Sequence, residues 1–274
     1  GRFIELTIIK YAPYFRGYNS KSRQQTRYTF VCNFNPHEWL PDMLLDDVAV
    51  ATVTGELTTM SNEMAQAKKR LFDGLRLEIP GKEVLDVMES VPRELFVPEE
   101  SRHLSYEDIP LPIGEWQTIS QPYIVAVMTN ALEIRDGDTA LELGTGSGYQ
   151  AAILSLLARK VYSIERVASL AGKARVLLTG LGYSNVEVRL AGNELGCPEE
   201  APFDAIIVTA ASPRLPRVLL EQMAKGGRLV IPVGSQQEQG LVKVVKADDG
   251  YSISNLGSCR FVPLLGKGAW DEPW

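Results

Sequence analysis

Leu141-Glu142-Leu143-Gly144-Thr145-Gly146-Ser147-Gly148-Tyr149 reads as a buried strand that runs into a glycine turn and then a helix start. Gly144, Gly146 and Gly148 can adopt backbone angles closed to other residues, and without a Cβ they let a ligand approach the main chain. The next apolar strand, Val161-Tyr162-Ser163-Ile164-Glu165, closes on an acid 21 positions after Gly144. At that remove from the first glycine, a carboxylate can bind the hydroxyls of a ribose. A turn that only packs a helix on a sheet would explain the glycines but not Glu142 and Glu165 together. The stretch therefore predicts a nucleotide-like ligand.

Two ligand classes compete for this pattern. The dinucleotide fingerprint spaces its glycines with gaps of one and then two residues, and Gly144, Gly146 and Tyr149 fail it. Here an acid, one residue and Gly-x-Gly-x-Gly follow in order, with Glu142 inside the strand. That order resembles the S-adenosylmethionine-dependent methyltransferases. An ammonium on the cofactor's methionine end gives Glu142 a purpose, whereas a pyrophosphate would be repelled by it.

Outward from the turn, strands alternate with helices, the signature of a mostly parallel sheet covered on both faces. Strands are expected at 139–143, 160–165, 186–190, 203–208 and 228–233, and helices at 149–158, 167–181 and 215–224. Gly182 is placed to cap the second helix, and strands at 241–246 and 254–261 are expected to finish the sheet antiparallel. A ligand then lies at the carboxyl ends of the first strands. Before this core, 62–75 and 83–90 read as helices, and Val91-Pro92-Arg93-Glu94-Leu95-Phe96-Val97-Pro98 is a proline-bounded link. Residues 1–60 differ in texture, with one strand suggested by Phe3, Ile4, Leu6, Ile8 and Ile9 and no repeat or glycine-rich linker.

A chain of 274 residues with 45% hydrophobic residues can bury a full core. No apolar run approaches the roughly 20 residues of a membrane span, so no membrane partner is expected. Cys32, Cys197 and Cys259 lack metal-ligand spacing and only His37 and His103 accompany them, so no metal is expected and reduced cytoplasmic thiols are. A net charge of −6 disfavours a broad grip on nucleic acid. The chain opens on Gly1, without the basic-then-apolar start of a signal peptide, and reads as a fragment or processed product.

Ile113-Gly114-Glu115-Trp116-Gln117-Thr118-Ile119-Ser120-Gln121-Pro122-Tyr123 is not generic to methyltransferases. With the glycine turn it resembles the protein L-isoaspartate O-methyltransferase family, from about Ala65 to Trp270. The resemblance takes in 91–98, Ala201-Pro202-Phe203-Asp204-Ala205-Ile206-Ile207-Val208-Thr209-Ala210-Ala211, 226–234 and Arg260-Phe261-Val262-Pro263-Leu264. It implies an α/β, Rossmann-like class I fold, S-adenosylmethionine as cofactor, and isoaspartyl proteins and peptides as partners of a monomeric repair enzyme. It implies that Ser120 is the active-site residue, under a lid of Thr118, Ile119 and Gln121. The residues alone read Ser120 as a turn or helix-cap serine before a proline. The expected cofactor-binding set is Glu142, Gly144, Thr145, Gly146, Ser147, Gly148, Glu165, Arg166, Gly192 and Asn193.

The implied chemistry needs neither a histidine base nor a metal. The free α-carboxylate of an isoaspartyl residue is already ionised at pH 7, so the protein has to exclude water, align atoms and partly desolvate the nucleophile. Two positions depart from the family. Where the family commonly has an aspartate for the adenine amino group, the segment reads Ala191-Gly192-Asn193; Trp116 stands where a small residue is common. These departures keep two alternatives in view: a cofactor-binding module with weak or lost catalysis, and a methyltransferase for another small or protein substrate. Val208-Thr209-Ala210-Ala211-Ser212-Pro213 lacks the Asn/Asp-Pro-Pro-aromatic motif of adenine amino methylation. The expected organisation is an extension of unknown role at 1–60 and a methyltransferase domain at 61–274, divided into a cap and substrate segment (61–135) and a cofactor-binding core (136–274).

Overall fold

The computed structural model describes residues 62–270 together with two short strands, β1 (Leu6–Thr7) and β2 (Thr29–Phe30), which pair antiparallel. Of the apolar positions expected to form an early strand, Leu6 lies in β1, and Phe3, Ile4, Ile8 and Ile9 lie outside the described residues. The chain forms two compact units, Gly1–Leu57 and Thr58–Trp274, and the second holds the glycine turn.

In that unit, α1 (Asn62–Glu78) and α2 (Lys82–Ser90) are followed by 3-10 turns at Arg93–Phe96 and Glu99–Leu104. A hairpin of β3 (Leu111–Gly114) and β4 (Gln117–Ile119) leads into α3 (Pro122–Leu132). Then come β5 (Thr139–Leu143), α4 (Tyr149–Leu157), β6 (Lys160–Glu165), α5 (Ala168–Gly180) and β7 (Val186–Leu190). The chain closes with β8 (Phe203–Val208), α6 (Arg217–Glu221), β9 (Met223–Gly234), β10 (Gln239–Lys246) and β11 (Tyr251–Cys259). Among the described residues no helix is long and apolar enough to cross a membrane.

The seven-stranded sheet runs β11-β10-β9-β8-β5-β6-β7, parallel from β9 to β7 and antiparallel at β10 and β11. Side chains alternate between faces along a strand. Leu141 and Leu143 accordingly pack with Ile206, Val208, Leu229 and Ile231 on one side, while Ala140 packs with Ala205, Ile207 and Val230 on the other. Helices α3 and α4 add Met128, Leu132 and Leu154 to the second face, and α6 adds Leu219 to the first. Because both faces are buried, these strands read as near-continuous apolar runs. Each such Leu or Ile contributes roughly 1.5–3 kcal/mol on burial.

The chain steps from β5 outward through β6 to β7 and then returns to β8 on the other side of β5. That reversal opens a crevice beyond the carboxyl ends of β5 and β8, where open α/β sheets bind ligands. The far end of α3 is fixed to the sheet. Arg228 of β9 donates from Nε to the Leu132 carbonyl and from Nη2 to the Glu133 carbonyl, satisfying acceptors the helix leaves open, and pairs with Asp138 at 2.5 Å.

Gly182 ends α5 as expected: at φ +85° it donates to the Thr179 carbonyl while Tyr183 N–H donates to Leu178, a Schellman closure. The helix expected at 215–224 is shorter. Proline disfavours helical geometry in the residue before it, so α6 starts only after Pro216, and at the other end Met223 already pairs with Phe203 as the start of β9. No element was expected across 111–132, where the structure has the β3–β4 hairpin and α3.

Candidate active site

The glycine turn is a rigid cradle at the mouth of the crevice. Gly144, Gly146 and Gly148 all have positive φ, at +99°, +52° and +90°, a region that costs other residues strain. Gly144 N–H donates to the Ile164 carbonyl of the neighbouring strand, and Gly148 N–H closes the turn onto Thr145. A Cβ on Gly144 would lie 2.3 Å from Thr209 Oγ1, which donates to the carbonyls of Leu143 and Gly144. Helix α4 starts immediately after Gly148, so its N-terminal peptide dipoles adjoin the turn.

Two cavities meet here. The larger, about 340 Å³, is lined by Thr118, Gly144, Gly146, Glu165, Arg166, Gly192 and Asn193, with Val262–Gly266 and Leu195 closing it. The smaller, about 50 Å³, is lined by Thr118, Ile119, Ser120, Thr145, Gly146 and Ser147, with Val125, Met128, Tyr149 and Gln150. Thr118, Gly144, Gly146 and Thr209 border both. Gln150, Met128 and Leu195 have no distinguishing signal in the sequence, because an apolar or amide side chain on a helix or loop carries no mark of the cavity it faces.

Glu165 is nearly buried. Its Oε2 accepts from Gly146 N–H and its Oε1 from Val167 N–H, each at 2.8 Å. A carboxylate offers about four acceptor sites, so these bonds fix its plane and leave lone pairs for hydroxyls in the larger cavity. Gly192 is exposed and has open space where a Cβ would project, and Asn193 beside it is exposed too.

Three of the expected residues line neither cavity: Gln121, Gly148 and Glu142. Gln121 donates to Asp108 Oδ2 at 3.3 Å, and Asp108 Oδ1 accepts from Tyr123 N–H, capping the start of α3 from a separate loop. Gly148 forms the entry to α4. Glu142 is fully buried beneath the turn, where the parity of β5 directs it to the α4 face beside Ser163. Ser163 Oγ donates to Glu142 Oε2 and lies 2.5 Å from Thr145 Oγ1, whereas Oε1 of Glu142 has no hydrogen-bond partner. Burial pushes this carboxyl up to about 8, against the pull of the Ser163 bond, and so favours the protonated form.

The β3–β4 hairpin arches over the crevice. Glu115 and Trp116 at its tip have φ of +52° and +58°, and Glu115 accepts from Ser169 Oγ in the first turn of α5. Trp116 is 99% exposed. Ser120 follows β4 and precedes Pro122, which opens α3. Its carbonyl is held by Arg93 Nη2 at 2.8 Å, and its position lines the smaller cavity.

The sequence model of the protein-L-isoaspartate(D-aspartate) O-methyltransferase family matches residues 66–269. A protein-L-isoaspartate O-methyltransferase of Syntrophobacter fumaroxidans is 53% identical over 193 residues, 70% of this chain and 90% of that one. One from Geobacter metallireducens is 51% identical over 207 residues, 74% of this chain and 96% of its own length. Among solved structures, a protein-L-isoaspartate O-methyltransferase is similar with a TM-score of 0.66 at 27% identity, over 74% of this chain and 67% of that chain. A Plasmodium falciparum chain assigned to the same activity and solved with S-adenosyl-L-homocysteine has a TM-score of 0.61 at 25% identity, over 71% of this chain and 96% of its own.

Proposed function

This chain belongs to the protein-L-isoaspartate(D-aspartate) O-methyltransferase family, and from that membership we propose how its residues share the work. Its fold is the Rossmann-like fold of class I S-adenosylmethionine-dependent methyltransferases. Its activity is esterification of the free carboxylate of L-isoaspartyl residues in damaged proteins, a repair reaction. The cofactor supplies an electrophilic methyl group; the chain holds the cofactor and brings the carboxylate to it.

The larger cavity fits that cofactor in size, lying in the range of small-molecule sites. Glu165, with its plane fixed by Gly146 and Val167, receives the ribose hydroxyls. Asn193 offers an acceptor to the adenine amino group in the place Gly192 leaves empty. Gly144 and Gly146 admit the cofactor against the main chain. Glu142 is assigned to holding the turn from beneath through Ser163 and Thr145, and not to the ammonium group, because it is fully buried and lines neither cavity.

The reacting end lies where the two cavities meet, at Thr118, Gly144, Gly146 and Thr209, and this junction is the observation that carries the reading. The smaller cavity takes the substrate carboxylate, and Ser120 orients it by a hydrogen bond. No general base is required, since the nucleophile arrives ionised; alignment and exclusion of water supply the acceleration. We take the working form to be a cytoplasmic monomer. Three scattered cysteines without disulfide-framework spacing suit a reducing compartment.

Ser120→Ala tests this. A hydrogen bond to a charged group is worth about 1.5–3 kcal/mol, so turnover on an isoaspartyl peptide falls roughly tenfold to hundredfold while calorimetric affinity for S-adenosylmethionine stays near wild type. Unchanged turnover returns Ser120 to a turn residue. An aspartyl twin of the peptide, unmethylated throughout, controls for the substrate.

A further inference from the structure

Arg93 is only 1% exposed, yet among the described residues it forms no ion pair. Its Nε donates to the Ser105 carbonyl and its Nη2 to the Ser120 carbonyl, while Nη1 has no partner. The guanidinium lies 4.8 Å from the centre of the Tyr149 ring, which lines the smaller cavity. The nearby acids are engaged elsewhere: Glu94 accepts from Tyr106, and Asp108 caps α3. Arginine stays protonated in proteins, so the fold buries a full positive charge whose direct contacts are neutral carbonyls and Tyr149, with the charge of Asp108 acting from farther off. Burying a charge without a counter-ion is costly, and two carbonyls could be held by a neutral amide side chain.

We propose that Arg93 is a positioning residue for methyl transfer, one that fixes the Ser120 segment and supplies the positive potential that draws the isoaspartyl carboxylate into the smaller cavity. The proposal rests on the assignment of that cavity to the substrate. The incoming carboxylate is the counter-ion the buried guanidinium lacks. Arg93 does not itself line the cavity, and its attraction reaches there past Tyr149 and the Ser120 backbone, where a buried charge is weakly screened. Esterification then removes the carboxylate's charge, so the neutral product loses the attraction that held the substrate.

The test uses the full chain and two competitive ligands: an isoaspartyl peptide and the same peptide with that carboxylate replaced by a carboxamide. The ratio of their inhibition constants reads the charge contribution, which a merely structural role does not move. Arg93→Gln is expected to raise KM for the isoaspartyl peptide about tenfold or more and to collapse the acid-over-amide preference, with cofactor affinity within about twofold of wild type. Arg93→Lys, which keeps the charge, is expected to retain most of that preference. An acid-over-amide ratio unchanged in Arg93→Gln overturns the proposal. If Arg93→Gln does not fold, Arg93→Lys decides: a retained ratio supports the proposal, and a ratio as low as an uncharged site would give overturns it. A collapsed ratio in Arg93→Gln beside unaltered turnover in Ser120→Ala removes the Ser120 assignment and leaves this one standing.

Discussion

Glu142→Gln separates a buried structural acid from a ligand-binding one. The wild-type carboxyl, with its ordinary value of 4.5, is pushed up to about 8 by complete burial. Its folded form therefore binds more protons than its unfolded form across that interval, and stability falls as pH rises through it. The contribution is fully present below pH 4.5 and lost by about pH 8. At about 1.4 kcal/mol per pH unit the loss reaches roughly 5 kcal/mol as an upper bound. Glutamine cannot ionise and keeps an oxygen for Ser163, so this slope disappears in the variant. Near pH 5 the variant is equal to or slightly less stable than wild type, since its amide places a donor where Oε1 has no partner. By pH 9 it is the more stable protein by several kcal/mol, on the order of 10 °C in Tm for a domain of this size. Urea unfolding of the cofactor-free protein at intervals from pH 5 to 9, followed by circular dichroism, measures the difference. Two stability curves that stay parallel across that range would refute the reasoning and imply that Glu142 reaches solvent or a cation.

Gly146→Val is expected to abolish cofactor binding in a folded protein, because its φ of +52° disfavours a branched residue and its Cβ would press on Ile113 at 3.1 Å; retained calorimetric affinity would reduce the turn to a packing element. Gly192→Asp projects into open space and, with Asn193 serving the adenine amino group, is expected to leave cofactor affinity near wild type; a gain of about tenfold to a hundredfold would show that the amino group lacks an acceptor. No gain there, with a loss in Asn193→Ala, means that Asn193 already serves the amino group. Trp116→Gly relieves a left-handed bulky residue worth roughly 1–2 kcal/mol, partly offset by glycine's greater freedom in the unfolded chain; a small rise in Tm is expected, and a fall of several degrees would show that the exposed ring is structural.

The strands of the parallel core could be read from the sequence because burial on both faces leaves uninterrupted runs such as 203–208, and Gly182 could be read because a Schellman closure needs a residue tolerant of positive φ. The β3–β4 hairpin could not, since strands of four and three residues are too short for alternation to register. The glycine turn and Glu165 were visible as a spacing. Glu142 was visible as an acid, but not its burial: both faces of β5 are covered, so neither parity leads a side chain to solvent. Ser120 stood out through family resemblance alone, since any serine before a proline looks like a cap. Arg93 gave no signal at all, because a charged residue in a proline-bounded link reads as solvated until its burial is seen.

With the smaller cavity assigned, as proposed, to the substrate carboxylate, its size has consequences for which damage is mended. At about 50 Å³ it has room for a few water-sized groups at roughly 10–15 Å³ each, enough for a carboxylate and the carbons that bear it. A packed surface cannot follow the carboxylate in. The altered residue must be lifted clear of its own fold, so conformational freedom of the target gates repair as surely as its chemistry does. Lesions in frayed ends and loose loops are within reach at once, whereas one locked in a core waits for the local openings of its own chain.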